Sequence, residues 1–160
     1  MSRIALLLGI LGVFFLTGCG GSGGGGGSGD GLPQTIKLVN GVDRAYLMDG
    51  NRIELVVSAG TVNKDTLVTV SAPTGLPSDA KFVPGTDIKF SDTTLLMPVS
   101  LRIRYNPSNI PGGASQSSLR AVRLVGGAWV EEPGSTVNTS TKQVFVNVSS
   151  FGTFGVRVMP

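Results

Sequence analysis

The sequence predicts an all-β fold, one antiparallel β-sandwich set behind an export leader and a glycine-rich stretch. Three observations point there. Short runs of alternating or β-branched residues recur from residue 35 to the end, the residue types that suit a pleated, half-buried surface. Turn-forming residues punctuate them, among them Asn40-Gly41, Asp49-Gly50, Gly85, Gly126-Gly127 and Pro133-Gly134. After Cys19 no segment of ten or more residues holds a helical period. Short strands at this spacing favour a sandwich or barrel.

Taken from the start, Met1-Ser2-Arg3 is a short positive opening, and Ile4 through Leu16 is an apolar run without a charge. As a helix, that run spans about 20 Å at ~1.5 Å rise, too short for a ~30 Å hydrocarbon core. Residues 1–18 therefore read as a removable export signal. The run ends in Leu16-Thr17-Gly18-Cys19, which resembles the lipobox of bacterial lipoprotein signal peptides. That resemblance implies a diacylglycerol on the Cys19 thiol, cleavage before Cys19, and acylation of the new amino group, with palmitate among the chains. A buried or redox-active thiol is the alternative, but a lone Cys among glycines has no core to enter. Two or three acyl chains, at ~0.8 kcal/mol per buried CH₂, hold far more firmly than one reversible chain. The expected location is the bacterial cell envelope, with the membrane as partner through the lipid. Gly20 rather than Asp after the Cys implies the outer membrane in a Gram-negative host.

Residues 19–31 are nearly all Gly and Ser. Such a run buries no side chain and loses the most backbone entropy on ordering, so a flexible tether is expected, with a mean span of about 20 Å. A phosphate-binding loop needs a strand before it and a helix after it, and neither pattern is present.

Residues 32–160 form the one predicted domain, long enough to bury a core. Strands are expected at Thr35–Val39, Ala45–Leu47, Ile53–Ser58, Thr66–Ser71 and Asp87–Phe90, and then at Leu96–Tyr105, Leu119–Val125, Ala128–Glu131, Gln143–Val148 and Phe154–Val158. Ser100-Leu101-Arg102-Ile103-Arg104-Tyr105 alternates most strictly. Gly126-Gly127 suits a two-residue hairpin leading into Trp129. Between Ser108 and Ser118 one short helical turn is expected, cut by Pro111-Gly112-Gly113.

Several of these segments, in this order, resemble the ZU-five domain, a β-sandwich module of ankyrins, netrin receptors and zonula occludens proteins with relatives in bacterial surface proteins. The likeness starts at Leu55-Val56-Val57-Ser58-Ala59-Gly60-Thr61-Val62 with Asp65-Thr66-Leu67-Val68-Thr69-Val70. It continues through Met97-Pro98-Val99-Ser100-Leu101-Arg102-Ile103-Arg104-Tyr105 and Asn106–Gly113. Leu119–Leu124, Gly126–Val130 and Phe151–Val156 resemble the closing strands. Some relatives cleave themselves at a His-Phe-Ser motif. The matching positions here are Ser150, Phe151 and Gly152, without nucleophile or base in place, so the resemblance implies that this chemistry is lost.

Composition narrows the function further. There is no His and one Cys, which excludes Ser-His-Asp and Cys-His catalysis, histidine-bound zinc and an internal disulfide. Past residue 18, twelve basic residues face ten acidic ones. They are scattered (Lys37, Arg44, Arg52, Lys64, Lys81), without the clustered face that nucleic acid requires. Ser78-Asp79-Ala80-Lys81 fits a Ser-x-x-Lys pattern, but it follows Gly75-Leu76-Pro77 in a loop and lacks the Lys-Thr-Gly partner motif. Asp43, Asp49, Asp65, Asp79, Asp87 and Asp92 sit singly in turns, where Asp ordinarily caps its own backbone rather than holding calcium. Asn138-Thr139-Ser140 and Asn147-Val148-Ser149 are formal glycosylation sequons.

The expectation is a lipid-anchored, non-enzymatic module with an interaction or structural role, its partner an envelope protein or polysaccharide, with no cofactor and no metal site. A carbohydrate-binding surface module is the alternative, and a hydrolase is a weaker third. Trp129 separates the first two: packed inside in the one, exposed on a flat face in the other. Apart from Cys19 as lipid attachment site, it is the one candidate contact.

Overall fold

A computed structural model describes residues 31–160. Among these residues the chain forms two antiparallel sheets. The first runs in the order β1 (Gln34–Leu38), β4 (Thr66–Ser71), β5 (Ile88–Phe90), β11 (Thr153–Val158), β7 (Leu119–Val125), β8 (Ala128–Glu131). The second runs β2 (Arg44–Met48), β3 (Ile53–Val57), β6 (Val99–Arg104), β10 (Gln143–Val148), β9 (Thr136–Asn138). The protein is an all-β sandwich.

Alternation explains which residues lie between the sheets. Leu101 and Ile103 of β6 are fully buried, while Arg102 points outward, pairing with Glu54 at 2.9 Å and lying 5.3 Å from the Phe145 ring centre. Ile53 and Leu55 of β3 meet Ile103 and Leu101 by direct cross-strand register, and Val57 of the same strand is buried beyond them. From the first sheet come Val68 and Val70 of β4, Ile88 and Phe90 of β5, and Phe154 and Val156 of β11. Phe90 stacks on Phe151 at 4.8 Å and meets Phe154 edge-on at 6.2 Å. Each such side chain contributes about 1.5–3 kcal/mol by leaving water. At one open margin the Tyr46 hydroxyl donates to the Lys37 carbonyl, tying β2 to β1 across the two sheets.

Four strands keep both expected ends: β4, β7, β8 and β10. The expected Leu96–Tyr105 starts later, at Val99, because Leu96, Met97 and Pro98 form an exposed connection. Between Pro107 and Ser118 the expected single turn is three separate 3₁₀ turns, each a single turn of three residues. Asn106 and Ser115 cap two of them through their side-chain oxygens. The short strand β9 was not expected. It is an exposed edge of three residues, too brief for alternation to register. At the β7–β8 hairpin, Gly126 and Gly127 take φ of 57° and 84°, the left-handed pair that a two-residue turn requires.

Candidate functional site

Strand β11 does not have one continuous neighbour on its β5 side. Thr153 and Phe154 pair with Lys89 and Ile88. Further along, Val83 N–H donates to the Val156 carbonyl at 2.9 Å, and Val158 N–H donates to the Lys81 carbonyl at 2.9 Å. Between these stretches Pro84, Gly85, Thr86 and Asp87 leave the ladder, much as a wide bulge does. The orphaned Val156 N–H is rescued by a side chain, donating to Thr86 Oγ1 at 3.0 Å, and that hydroxyl donates on to the Val83 carbonyl at 2.7 Å. Thr86 is almost fully buried, so these bonds are shielded from water.

The bulge has a consequence on the outer face of the first sheet. Phe154 and Val156 face the core, so Gly155 between them faces out, opposite Val122 of β7. Phe82, next to Arg157 in the ladder, lays its ring across Gly155, where a Cβ would collide with it. Val122 is fully buried although it lies outside the main core cluster. Trp129 of β8 reaches the same face from the other side, its ring centre 4.8 Å from that of Phe82 at a tilt of 31°. A small apolar layer thus covers the outside of the sheet.

Beside this layer lies an open groove of about 270 Å³, walled by Leu76, Phe82, Pro84 and Trp129 and by two carboxylates, Asp79 and Asp87. The walls are tied from behind. Arg52 donates to the Gly85 carbonyl at 2.7 Å, and Asn109 donates to the Pro84 carbonyl at 3.2 Å. Arg52 is itself held by Asp49, at 2.5 Å. Asp79 caps Lys81 N–H at 2.8 Å and pairs with Arg157 at 2.8 Å. The Asp87 carboxylate has no ion pair or hydrogen bond among the described residues. No Lys or Arg lines the groove.

Trp129 falls between the two expectations for it. It is half-buried, with Phe82 against its ring and its indole N–H enclosed without an acceptor among the described residues. It is therefore part of both the outer apolar layer and the groove wall. Cys19 and the expected leader and tether lie outside the described residues, except Gly31. Ser78 and Lys81 are exposed in the loop before the bulge, and Asp79 between them serves Arg157. Ser150 accepts a hydrogen bond from Arg123 at 2.6 Å, and Phe151 is buried against Phe90, in the bend that precedes β11 rather than in a strand.

The remaining acids are separated. Asp43 accepts from Ala59 N–H at 2.6 Å, and Asp65 accepts from Asn40 N–H at 3.0 Å and pairs with Lys37 at 2.7 Å. Among the described residues no three acids, or acids with Cys, gather where an ion would sit. Nor, among them, is any helix long and apolar enough to cross a membrane.

Nothing in the sequence marks Phe82 or Pro84 as groove residues. One signal was available: Gly155, a lone glycine inside an apolar strand, marks a close approach by something else. No protein-family model matches this chain, and no curated protein matches it.

Proposed function

We propose that this chain is a lipid-anchored cell-envelope protein that displays a non-enzymatic, ZU-five-like sandwich, and that the domain serves as an interaction or structural module. The observation that carries the reading is the Leu16-Thr17-Gly18-Cys19 sequence behind an uncharged apolar run and a positive opening. The glycine-rich residues that follow suit a spacer between membrane and domain. A non-enzymatic role is supported by the lack of histidine and by the employment of Asp79, the acid of the Ser-x-x-Lys stretch, in a cap and an ion pair.

The test is the intact mass of the protein in the membrane fraction of its native host, beside a Cys19→Ala variant. The expected mass is that of residues 19–160 plus acyl groups, and the variant is expected in the soluble or unprocessed fraction. An unacylated chain, or unchanged membrane retention of the variant, overturns the anchor.

A further inference from the structure

We propose that the groove between the Pro84–Asp87 bulge and Trp129 binds a cationic side chain, Lys or Arg, of a partner polypeptide. The inference goes beyond the anchored-module reading and does not depend on Cys19. It rests on what lines the groove. Two aromatic rings and two prolines, Pro77 and Pro84, supply apolar surface, and Asp79 and Asp87 supply acceptors. Among the described residues the lining offers no free side-chain donor: the one indole N–H is enclosed, and Asn109 and Arg52 spend theirs on the back of the loop. A lining of acidic and aromatic side chains without a basic one suits a cation on an apolar stem, which gains from apolar contact along the stem and from a carboxylate at its head. A sugar, presenting both donors and acceptors, would find no free side-chain donor there for its own acceptors.

The charges favour the same ligand. Asp79 is neutralised by Arg157, whereas Asp87 has no counter-ion among the described residues, so one carboxylate is left for an incoming cation. Arg52, behind the loop, touches Asp87 through its carbonyl, at 3.5 Å, and is itself paired with Asp49. A free carboxylate at the wall also repels the phosphate of an aminophospholipid headgroup, which singles out a polypeptide as the source. With its carbonyls tied from behind and the Thr86 hydroxyl bonded to Val156 and Val83, the bulge is formed before any ligand arrives.

Trp129 is the only tryptophan in the chain, so its fluorescence reports the groove directly. The full chain is titrated with N-acetyl-lysine methylamide and its arginine counterpart. The neutral norleucine analogue, methyl glucoside and glycerophosphoethanolamine serve as comparisons. The cationic amides are expected to shift the emission saturably, with the response weakened by salt and the affinity lowered about tenfold in Asp87→Asn. Asp92→Asn, on the loop at the other end of β5, is expected to leave it unchanged. Equal thermal midpoints for the variants establish that folding is not what is read. No saturable response to either cation, an equal response to norleucine, or indifference to Asp87→Asn overturns the proposal. A response to the glucoside alone reassigns the groove to saccharides, and a stronger response to glycerophosphoethanolamine overturns the polypeptide source.

Discussion

The space between the two sheets and the thin layer on the outer face of the first sheet are both apolar, but they are assembled differently. The inner core is made by strands meeting in register, so each buried residue is specified by its neighbours two positions away and across the sheet. Leu55 opposite Leu101, and Val144 opposite Ile103, are examples. The outer layer has no such repetition. It depends on one missing side chain, at Gly155, and on one loop residue, Phe82, that fills the vacancy. Redundant packing tolerates local loss by sharing it among many contacts, whereas a single knob on a single flat spot does not. The groove belongs to this second kind of construction.

The largest expected effect comes from opening the inner core. Phe154 is fully buried and touches Phe90 edge-on. Phe154→Ala is expected to cost about 3–5 kcal/mol, as large-to-small changes of buried aromatics do. Phe82→Ala, removing a half-buried ring from the outer layer, is expected to cost less, about 1–2 kcal/mol. Urea denaturation of both variants measures the gap. Equal losses would break the distinction, making the outer layer as integral as the core.

A middle-sized effect sharpens it. In Gly155→Ala the new methyl meets the Phe82 ring, and the expected loss is about 1–3 kcal/mol from overpacking. The strand backbone is not at fault, since Gly155 is absent from the positive-φ positions. The loss should therefore depend on Phe82. In a Phe82→Ala background the same Gly155→Ala change is expected to be close to neutral, a coupling of about 1–3 kcal/mol in a double-mutant cycle. Additive losses would show that Gly155 answers to something other than the ring. The sole tryptophan, packed on Phe82, should also shift its emission in either single variant.

This division matches what the sequence made legible. The alternation of β3, β6 and β10 is visible along the chain because each strand carries its own period. The hairpin at Gly126-Gly127 is visible because only glycine takes two left-handed residues freely. The outer layer was not visible, since Phe82 and Gly155 are far apart in the chain and Phe82 belongs to no periodic pattern. Thr86 was equally hidden: a hydroxyl standing in for a ladder partner looks, in sequence, like any polar turn residue. Trp129 was singled out for its chemistry, but its half-burial came from Phe82, a contact set by the bulge. The site lies where the chain departs from periodicity, and periodicity was the signal the sequence offered.

The smallest effect lies on neither apolar layer but on the rim between β1 and β4, and it separates a charge that is merely exposed from one built into the outer layer. Lys37 and Asp65 pair there at 2.7 Å with both side chains about half exposed. The Lys37 hydrogen bond, helped by Asn40 N–H, lowers the Asp65 pKa below the ordinary carboxylate value. A folded-state pKa below the unfolded one means stabilisation that is present above the unfolded value and lost as pH falls through the folded value. Its size is small because water screens an exposed pair. A carbon-detected carboxylate titration should place the Asp65 midpoint below that of a free aspartate. Lys37→Ala should move it up without restoring it fully, since Asn40 N–H still donates. Thermal stability at neutral pH should barely change in that variant. Arg157→Ala, which removes the partner of the largely buried Asp79 beside Phe82, should by contrast lower it measurably. If Lys37→Ala leaves the Asp65 midpoint in place, the backbone donor alone sets it. If the two variants lose the same stability, the Arg157–Asp79 pair is no more part of the outer layer than the rim pair is.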